Sequence, residues 1–171
     1  MGFQKSVYSD QAIGIPGTLY DNSPLRALSY ILNSVSAVYN NVGATAMTVA
    51  SDGVAQAGSG GAGGFAGILA NPEIQALFGA GGVPLNPNLT LNNGVVAACV
   101  TMGRLFVILP DAANIGDLVV YDNTTGALST VAPGAGLPVG TTFAQAQVIR
   151  YTLSAAGVAV IEIDPSLVAP V

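Results

Sequence analysis

Carboxylates are the side chains of this sequence that could carry out chemistry, because it contains no histidine and a single cysteine. Asp111, Asp117 and Asp122 form its densest group of acids. Three carboxylates can hold a hard cation such as Ca²⁺ if the fold brings them together. Their spacing matches no calcium-loop motif, and isolated acids at turns and strand ends are usually solvated. We therefore predict no metal site and no cofactor here.

A second pair of acids, Glu162 and Asp164, alternates with the apolar Ile161 and Ile163. This alternation predicts that both carboxylates point to the same face of a strand. Paired carboxylates can act as acid and base, but these two lack other polar partners. The pattern instead favours an edge strand whose outward charges protect it from pairing with another chain.

Two further features have structural rather than chemical explanations. The glycine-rich run 58–64 lacks the lysine and hydroxyl with which a phosphate-binding loop ends, so we predict a flexible surface loop. Cys99 lies in the apolar run 95–100, which predicts a buried small hydrophobe rather than a reactive thiol. With neither a histidine nor a reactive cysteine, the chain is predicted not to be an enzyme. A carboxylate-dependent hydrolase is a distant alternative.

The composition points to an assembly. Only 8% of the 171 residues are charged, against about 25% in an average domain, while 51% are hydrophobic. So few charges would leave a monomer prone to self-association. We therefore predict that neighbouring subunits cover much of the surface and that the chain forms a homo-oligomer, a dimer or a trimer.

Charge and hydropathy exclude two classes of partner. The net charge is −5 and the four basic residues are scattered, which disfavours nucleic acid. A helix that crosses a membrane needs about 20 consecutive apolar residues, and the sequence contains no such run. The first 24 residues also lack a secretory signal. We expect a protein made in a cytoplasm, with no membrane partner.

The chain divides into an arm and a body. We predict that residues 1–24 form an extended N-terminal arm, because Pro16 and Pro24 interrupt any regular helix or strand pattern. Its aromatic residues, Phe3, Tyr8 and Tyr20, suggest docking onto the body or onto a neighbour. We predict that residues 25–171 form one compact β-rich body, with the glycine-rich loop at 57–64.

Two short helices are predicted in the body. Leu25, Leu28 and Leu32 recur at helical spacing after a start signal at 22–24, although a strand is the competing interpretation. Asn71 and Pro72 begin a second pattern, of one or two helical turns.

The rest of the body reads as short strands separated by turn residues, which predicts a β-barrel or a β-sandwich. Gly103 marks a bend or bulge between two of these strands. The predicted strands are 45–50, 95–102, 104–109, 117–121, 127–131, 147–153 and 158–163.

The order of several motifs resembles the structural cement protein family of tailed phages, over most of the chain. The motifs are 12–17 (AIGIPG), the glycine-rich run with 65–72 (FAGILANP), 93–94 (NG), 102–104 (MGR), 116–121 (GDLVVY), 125–128 (TGAL) and 157–161 (GVAVI). The resemblance implies an all-β body bound to the outside of a capsid, without a cofactor. It implies no active-site residue.

On this basis we expect a decoration protein that binds the major capsid protein on the outer surface of the virion. The body would bridge adjacent capsomers, and the arm would reach onto neighbouring subunits. A phage or cell-surface adhesin is the main alternative. The residues predicted to contact the capsid or another subunit are Phe3, Tyr8, Ile15, Pro16, Tyr20, Arg26, Phe65, Arg104 and Arg150.

Overall fold

The fold is mainly β, as the turn and strand patterns predict. The computed structural model describes residues 13–58, 64–71 and 89–169. These residues form nine strands in one antiparallel sheet. The strands are β1 (Arg26–Ile31), β2 (Ala46–Val49), β3 (Ala55–Ala57), β4 (Phe65–Leu69), β5 (Val96–Leu109), β6 (Leu118–Asp122), β7 (Leu128–Val131), β8 (Thr141–Arg150) and β9 (Gly157–Ile163).

The longest strand, β5, organises the sheet, whose order is β3-β2-β4-β5-β9-β8-β6-β7. The first half of β5 pairs with β4 on one side and β1 on the other, and its second half pairs with β9. The partners change at Gly103, whose φ of +128° is open to glycine and strained for other residues. The prediction of two separate strands is wrong, but Gly103 does mark the point at which the strand changes its pairing partner.

Two hydrophobic cores lie against β5. The larger one contains Leu105, Val107 and Leu109, because alternate residues of a strand point to the same face. The smaller one contains Ala97 and Cys99, from the first half of the same strand. One strand therefore contributes side chains to both cores.

The sheet curves until segments from its two sides meet. The N–H of Ala46 donates to the carbonyl of Gly126 at 2.8 Å, and the N–H of Leu128 donates to the carbonyl of Ala44 at 3.1 Å. These bonds join the start of β2 to the start of β7, which lie far apart in the strand order. The larger core lies between them, with Ala46 and Leu128 among its members.

The prediction of a helix over residues 25–32 is wrong, because this segment forms strand β1. Its backbone pairs with β5 from Arg26 to Ile31. The apolar stripe that suggested a helix is not a buried face, since Leu25 and Leu28 are each 49% exposed. Within the described ranges the sole helical element is a 3₁₀ turn at Ala37–Tyr39. The predicted helical turns beyond Asn71 lie outside the described residues.

The charged segment 161–164 is also not an edge, because β9 pairs with β5 on one side and with β8 on the other. Its neighbour β8 begins at Thr141 and ends at Arg150, well before the predicted end at residue 153. The β6–β7 hairpin, by contrast, is confirmed. In the described part of the chain, no helix has the length and hydrophobicity needed to cross a membrane.

Candidate interaction surface

Residues 13–24 follow β5 of their own chain. The N–H of Gly17 donates to the carbonyl of Phe106 at 2.7 Å, and the N–H of Phe106 donates to the carbonyl of Thr18 at 3.0 Å. The N–H of Tyr20 donates to the carbonyl of Arg104 at 2.9 Å. This segment therefore extends the sheet along the free edge of the second half of β5.

A glycine contact fixes this segment to the body. The backbones of Gly17 and Gly43 approach so closely that a Cβ added to Gly43 would lie 2.3 Å from the nitrogen of Gly17. Gly43 itself bridges two parts of the body, because its N–H donates to Leu69 and its carbonyl accepts from Ile108. Both glycines have positive φ, +83° and +68°. Only glycine fits this contact without strain.

Arg104 holds the same segment electrostatically. Its Nη1 lies 2.9 Å from Asp21 Oδ2, and its Nε lies 3.0 Å from Glu162 Oε1. Hydrogen bonds from Ser23 and then from Arg104 lower the pKa of Asp21 below its usual value. The bonds to Asp21 and then to Glu162 raise the pKa of Arg104. All three side chains are about a third exposed, so solvent weakens the ion pairs.

Tyr20 connects this ion cluster to β8. Its ring makes an edge-to-face contact with Phe106, with ring centroids 5.4 Å apart. The guanidinium of Arg150 lies over the same ring, 5.5 Å from its centroid, in a cation–π arrangement. The structure thus brings together three of the residues singled out from the sequence, Tyr20, Arg104 and Arg150. Their contacts are within one chain.

The other candidate residues are dispersed. Ile15 is 56% exposed on the segment beside β5, and Pro16 contacts Gly43 from the same segment. Arg26 is exposed at the start of β1. Phe65 is partly buried against the larger core and stacks on Tyr121, with centroids 5.9 Å apart. Phe3 and Tyr8 lie outside the described residues.

Two of the three acids considered as a metal site, Asp117 and Asp122, accept hydrogen bonds in turns. Asp117 accepts a hydrogen bond from the N–H of Asn114 at 2.7 Å. Asp122 accepts bonds from the N–H groups of Thr124 and Thr125 at 2.9 and 2.7 Å. Within the described ranges, no three acidic, cysteine or histidine residues come close enough to hold a metal ion.

Cys99 has the environment of a core residue. It is fully buried in the smaller core. This burial raises the pKa of its thiol to about 12, so the nucleophilic thiolate is scarce near neutral pH. The prediction of a buried cysteine is confirmed.

Many large hydrophobic side chains are exposed, at positions that the sequence patterns did not reveal. Val35 and Val38, between β1 and β2, are 94% and 69% exposed. Ile31 and Val96 are directly paired across β1 and β5, yet both are at least half exposed. The large hydrophobic residues that are exposed are Ile13, Ile15, Leu19, Leu25, Leu28, Ile31, Val35, Val38, Val96, Ile115, Leu137, Val139, Tyr151 and Val168.

The loop 132–140 between β7 and β8 carries two of these exposed side chains. All of its residues are exposed, and none is charged (APGAGLPVG). It is nevertheless held in shape, because the N–H of Ala135 donates to the carbonyl of Ala132 and the N–H of Thr141 donates to that of Pro138. Leu137 and Val139 therefore face solvent on an ordered loop.

Comparison with known proteins agrees with this picture. In solved structures, the chain is similar to a chain described as "The capsid of Myoviridae Phage XM1", with a TM-score of 0.61 and 15% sequence identity. The similarity covers 98% of this chain and 100% of the other, and it shows a shared fold. A search of curated proteins finds no match.

A family model described as "Structural cement protein (E217 gp24/Pam3 gp6)" matches residues 3–164. This match spans nearly the whole chain and includes both cores, the segment beside β5 and the exposed loop. The protein therefore belongs to the structural cement protein family.

Proposed function

We propose that this protein is a cement protein that binds the outside of a tailed-phage capsid, contacts the major capsid protein and bridges adjacent capsomers. The observation that carries the proposal is the exposure of many large hydrophobic side chains, described above, on a chain with only 8% charged residues. A surface with many apolar side chains and few charges is prone to association, which favours a surface that other subunits cover. Family membership and the capsid-like fold support the same role.

The charged groups support contact at close range rather than steering over a distance. Arg104 is paired with Asp21 and Glu162, and Arg150 lies over Tyr20. These basic side chains are therefore engaged within the chain. A surface of this kind gains little from long-range attraction and depends on apolar contact area. Membership of a structural family implies a non-enzymatic protein.

The body is best understood as a barrel. The hydrogen bonds from Ala46 to Gly126 and from Leu128 to Ala44 close the sheet around the larger core. A closed sheet presents no long edge around that core. We propose that this rigid body carries the contact surfaces and that it assembles as a homo-oligomer, either a dimer or a trimer. Contact with two or more shell subunits would raise avidity by about 10² to 10⁴.

The arm of residues 1–24 has two roles in this proposal. Residues 13–24 hold to β5 through Gly17, Tyr20 and Asp21. Residues 1–12 are proposed to reach onto neighbouring subunits of the shell. In this proposal, residues 1–12 contact neighbouring subunits and residues 13–24 attach the arm to the body.

The test is to delete residues 1–12 and measure retention on capsids stripped of the wild-type protein. The deletion must stop before Ile15, because residues from 15 onward are part of the folded body. We expect an unchanged unfolding transition and at least about tenfold weaker binding to the capsids. Unchanged retention would remove residues 1–12 as a contact element. No binding by the wild-type protein would remove the cement role altogether.

Location and copy number separate this proposal from the adhesin alternative. A cement protein should cover the head in hundreds of copies, as bridging of many capsomers requires. An adhesin should be present in few copies at the tail and should bind a cell surface or a glycan. Labelling the protein on imaged particles distinguishes the two directly.

A further inference from the structure

The outer edge of β1 is open in the described part of the chain. β1 pairs with β5 along one edge, and no described strand pairs with its other edge. Leu32 follows β1, and both of its backbone groups face β5. Its N–H donates to the carbonyl of Val95, and its carbonyl accepts from the N–H of Gly94. Because these groups alternate along a strand, those of Ala27, Ser29 and Ile31 point away from β5.

The open edge is bounded at both ends. At one end, the register with β5 shifts between Arg26 and Ala27, which bends the strand. At the other end, the N–H of Asn33 donates to the carbonyl of Ala55 at 2.9 Å, so β3 occupies the edge there. Among the described residues, nothing therefore pairs with the outer edge of 27–31, which is centred on Ser29.

Between its two ends, this edge lacks the charged and proline residues that often prevent strands from pairing. Residues 27–31 (ALSYI) contain no proline and no charge. Leu28 and Ile31 are half exposed beside it, and Val96 is 59% exposed across from Ile31. Unpaired backbone groups beside apolar side chains are suited to bind an extended strand, which adds to the edge of the sheet through main-chain hydrogen bonds.

We propose that β1 pairs with β1 of a second copy of this chain, antiparallel about a twofold axis at Ser29. Ser29 would face Ser29 of the partner subunit, and Ala27 would face Ile31 of the partner subunit. In this register the outward groups of one chain meet those of the other, which gives about six hydrogen bonds between chains. The twofold operation closes the pair, so assembly ends at a dimer.

The charges are compatible with this occupant. Arg26 is the only charged residue between Asn22 and Ser51. In the proposed register it faces residue 32 of the partner, so the two Arg26 side chains start about 20 Å apart along the strands. That separation exceeds the screening length of about 8 Å at physiological salt. Self-pairing therefore brings no like charges together along the two β1 strands.

The first experiment tests the register by disulfide formation between subunits. Ser29→Cys should form a covalent dimer under mild oxidation, because the two Cα atoms of a facing pair lie within the range of a disulfide. Ala27→Cys is the matched control, since it lies on the same edge but about 13 Å from its own counterpart. Buried Cys99 should not react. Equal cross-linking of both variants, or of neither, would overturn the proposal.

The second experiment measures the association itself by analytical ultracentrifugation. The wild-type chain should be a dimer, and Ser29→Pro should weaken it at least about tenfold, because the outward N–H is lost while the bonds of Leu28 and Tyr30 to β5 remain. Ser29→Lys gives a second route if the proline variant unfolds. Ser154→Lys, on an exposed bend, is the control.

A wild-type monomer at all concentrations, a trimer, or a dimer that Ser29→Lys leaves intact would each overturn the proposal. Protection of the Ser29 amide from hydrogen exchange at all dilutions would do the same, since it would indicate a cover from within the chain. The inference rests on the homo-oligomer proposed above, but both experiments use the purified protein without capsids. Its failure is therefore distinguishable from failure to bind the shell.

Discussion

Asp122 illustrates how one carboxylate determines the local structure of this protein. Its Oδ1 accepts hydrogen bonds from the backbone of Thr124 and Thr125 and from the Thr125 hydroxyl, all within 2.7–2.9 Å. The turn closes when the N–H of Gly126 donates to the carbonyl of Asp122. The bonds from Thr125 are the main reason that the pKa of Asp122 lies below its usual value.

Replacement of Asp122 by alanine should destabilise the protein by about 1 kcal/mol at pH 7, because bonds to a partly solvated charge are lost. A lowered pKa means that the unfolded chain binds more protons than the folded one. This stabilisation is therefore complete above the unfolded pKa of 3.8, the ordinary value of an aspartate. It should be lost as the pH falls through the lower, folded pKa. Urea unfolding of both proteins from pH 7 to pH 2 measures the difference.

The control is Asp52→Ala, which removes one 3.2 Å bond to the N–H of Val54 in an exposed turn. We expect a change below about 0.5 kcal/mol at pH 7. A difference between wild type and Asp122→Ala that does not shrink in acid would contradict the role of the charge.

The residues around Arg104 show what sequence could and could not predict at this scale. Tyr20, Arg104 and Arg150 were identifiable by type, because arginine and tyrosine are common at contacts. Their partners were not, since Asp21 is 83 positions from Arg104 and Glu162 is 58 positions away. Only the register of β5 with β9 and with the segment 13–24 brings these groups together. Sequence spacing carries no information about that register.

At the scale of elements, local signals predicted strands well where turn chemistry was strong. The hairpin of β6 and β7 follows from the turn at 122–126, and β9 follows from its apolar alternation. β1 was mispredicted, because Leu25, Leu28 and Leu32 fit a helical period as well as a strand. Pairing with β5 decides its structure, and that pairing is non-local. The exposed loop 132–140 gave no periodic signal at all.

The contact between the segment 13–24 and the body gives a prediction at this scale. Gly43→Ala should destabilise the protein by about 2–4 kcal/mol, because its Cβ would meet the backbone of Gly17 and Pro16. Gly53→Ala is the matched control. Its φ of +82° is also positive, but a Cβ there would meet nothing within 4 Å.

The control should cost only about 1 kcal/mol, the penalty of the backbone conformation alone. Thermal or urea unfolding measures both variants. Equal losses would show that φ, and not the close contact with Gly17, determines the requirement for glycine at position 43.

At the scale of the whole molecule, the location of charge and apolar surface is the dominant feature. Arg104 and Arg150 are engaged within the chain, while Leu137, Val139 and Val35 face solvent. The composition predicted a surface that other subunits cover. It could not predict which surface, because exposure depends on how the sheet curves.

The double variant Leu137→Ser and Val139→Ser tests the loop 132–140 as part of the proposed capsid contact. Both side chains are exposed, so the free energy of unfolding should change by less than about 0.5 kcal/mol. Binding to stripped capsids should weaken at least about tenfold, because apolar contact area is lost. Cosedimentation with the capsids measures this binding.

Val168→Ser is the control, since this residue is also apolar and exposed (80%) but lies outside the loop 132–140. We expect it to leave both stability and binding unchanged. If the double variant bound as tightly as wild type, the loop would not be a contact surface.

The continuous run of β5 through both cores has a mechanical consequence. Residues 13–31 follow one side of this strand, while β4 and β9 follow the other. A pull directed parallel to β5 loads these rows of hydrogen bonds in shear, so that many must break at once. A pull at right angles would peel them apart singly. The molecule is therefore strongest under tension along β5, so its orientation in an assembly would determine how much load it can bear.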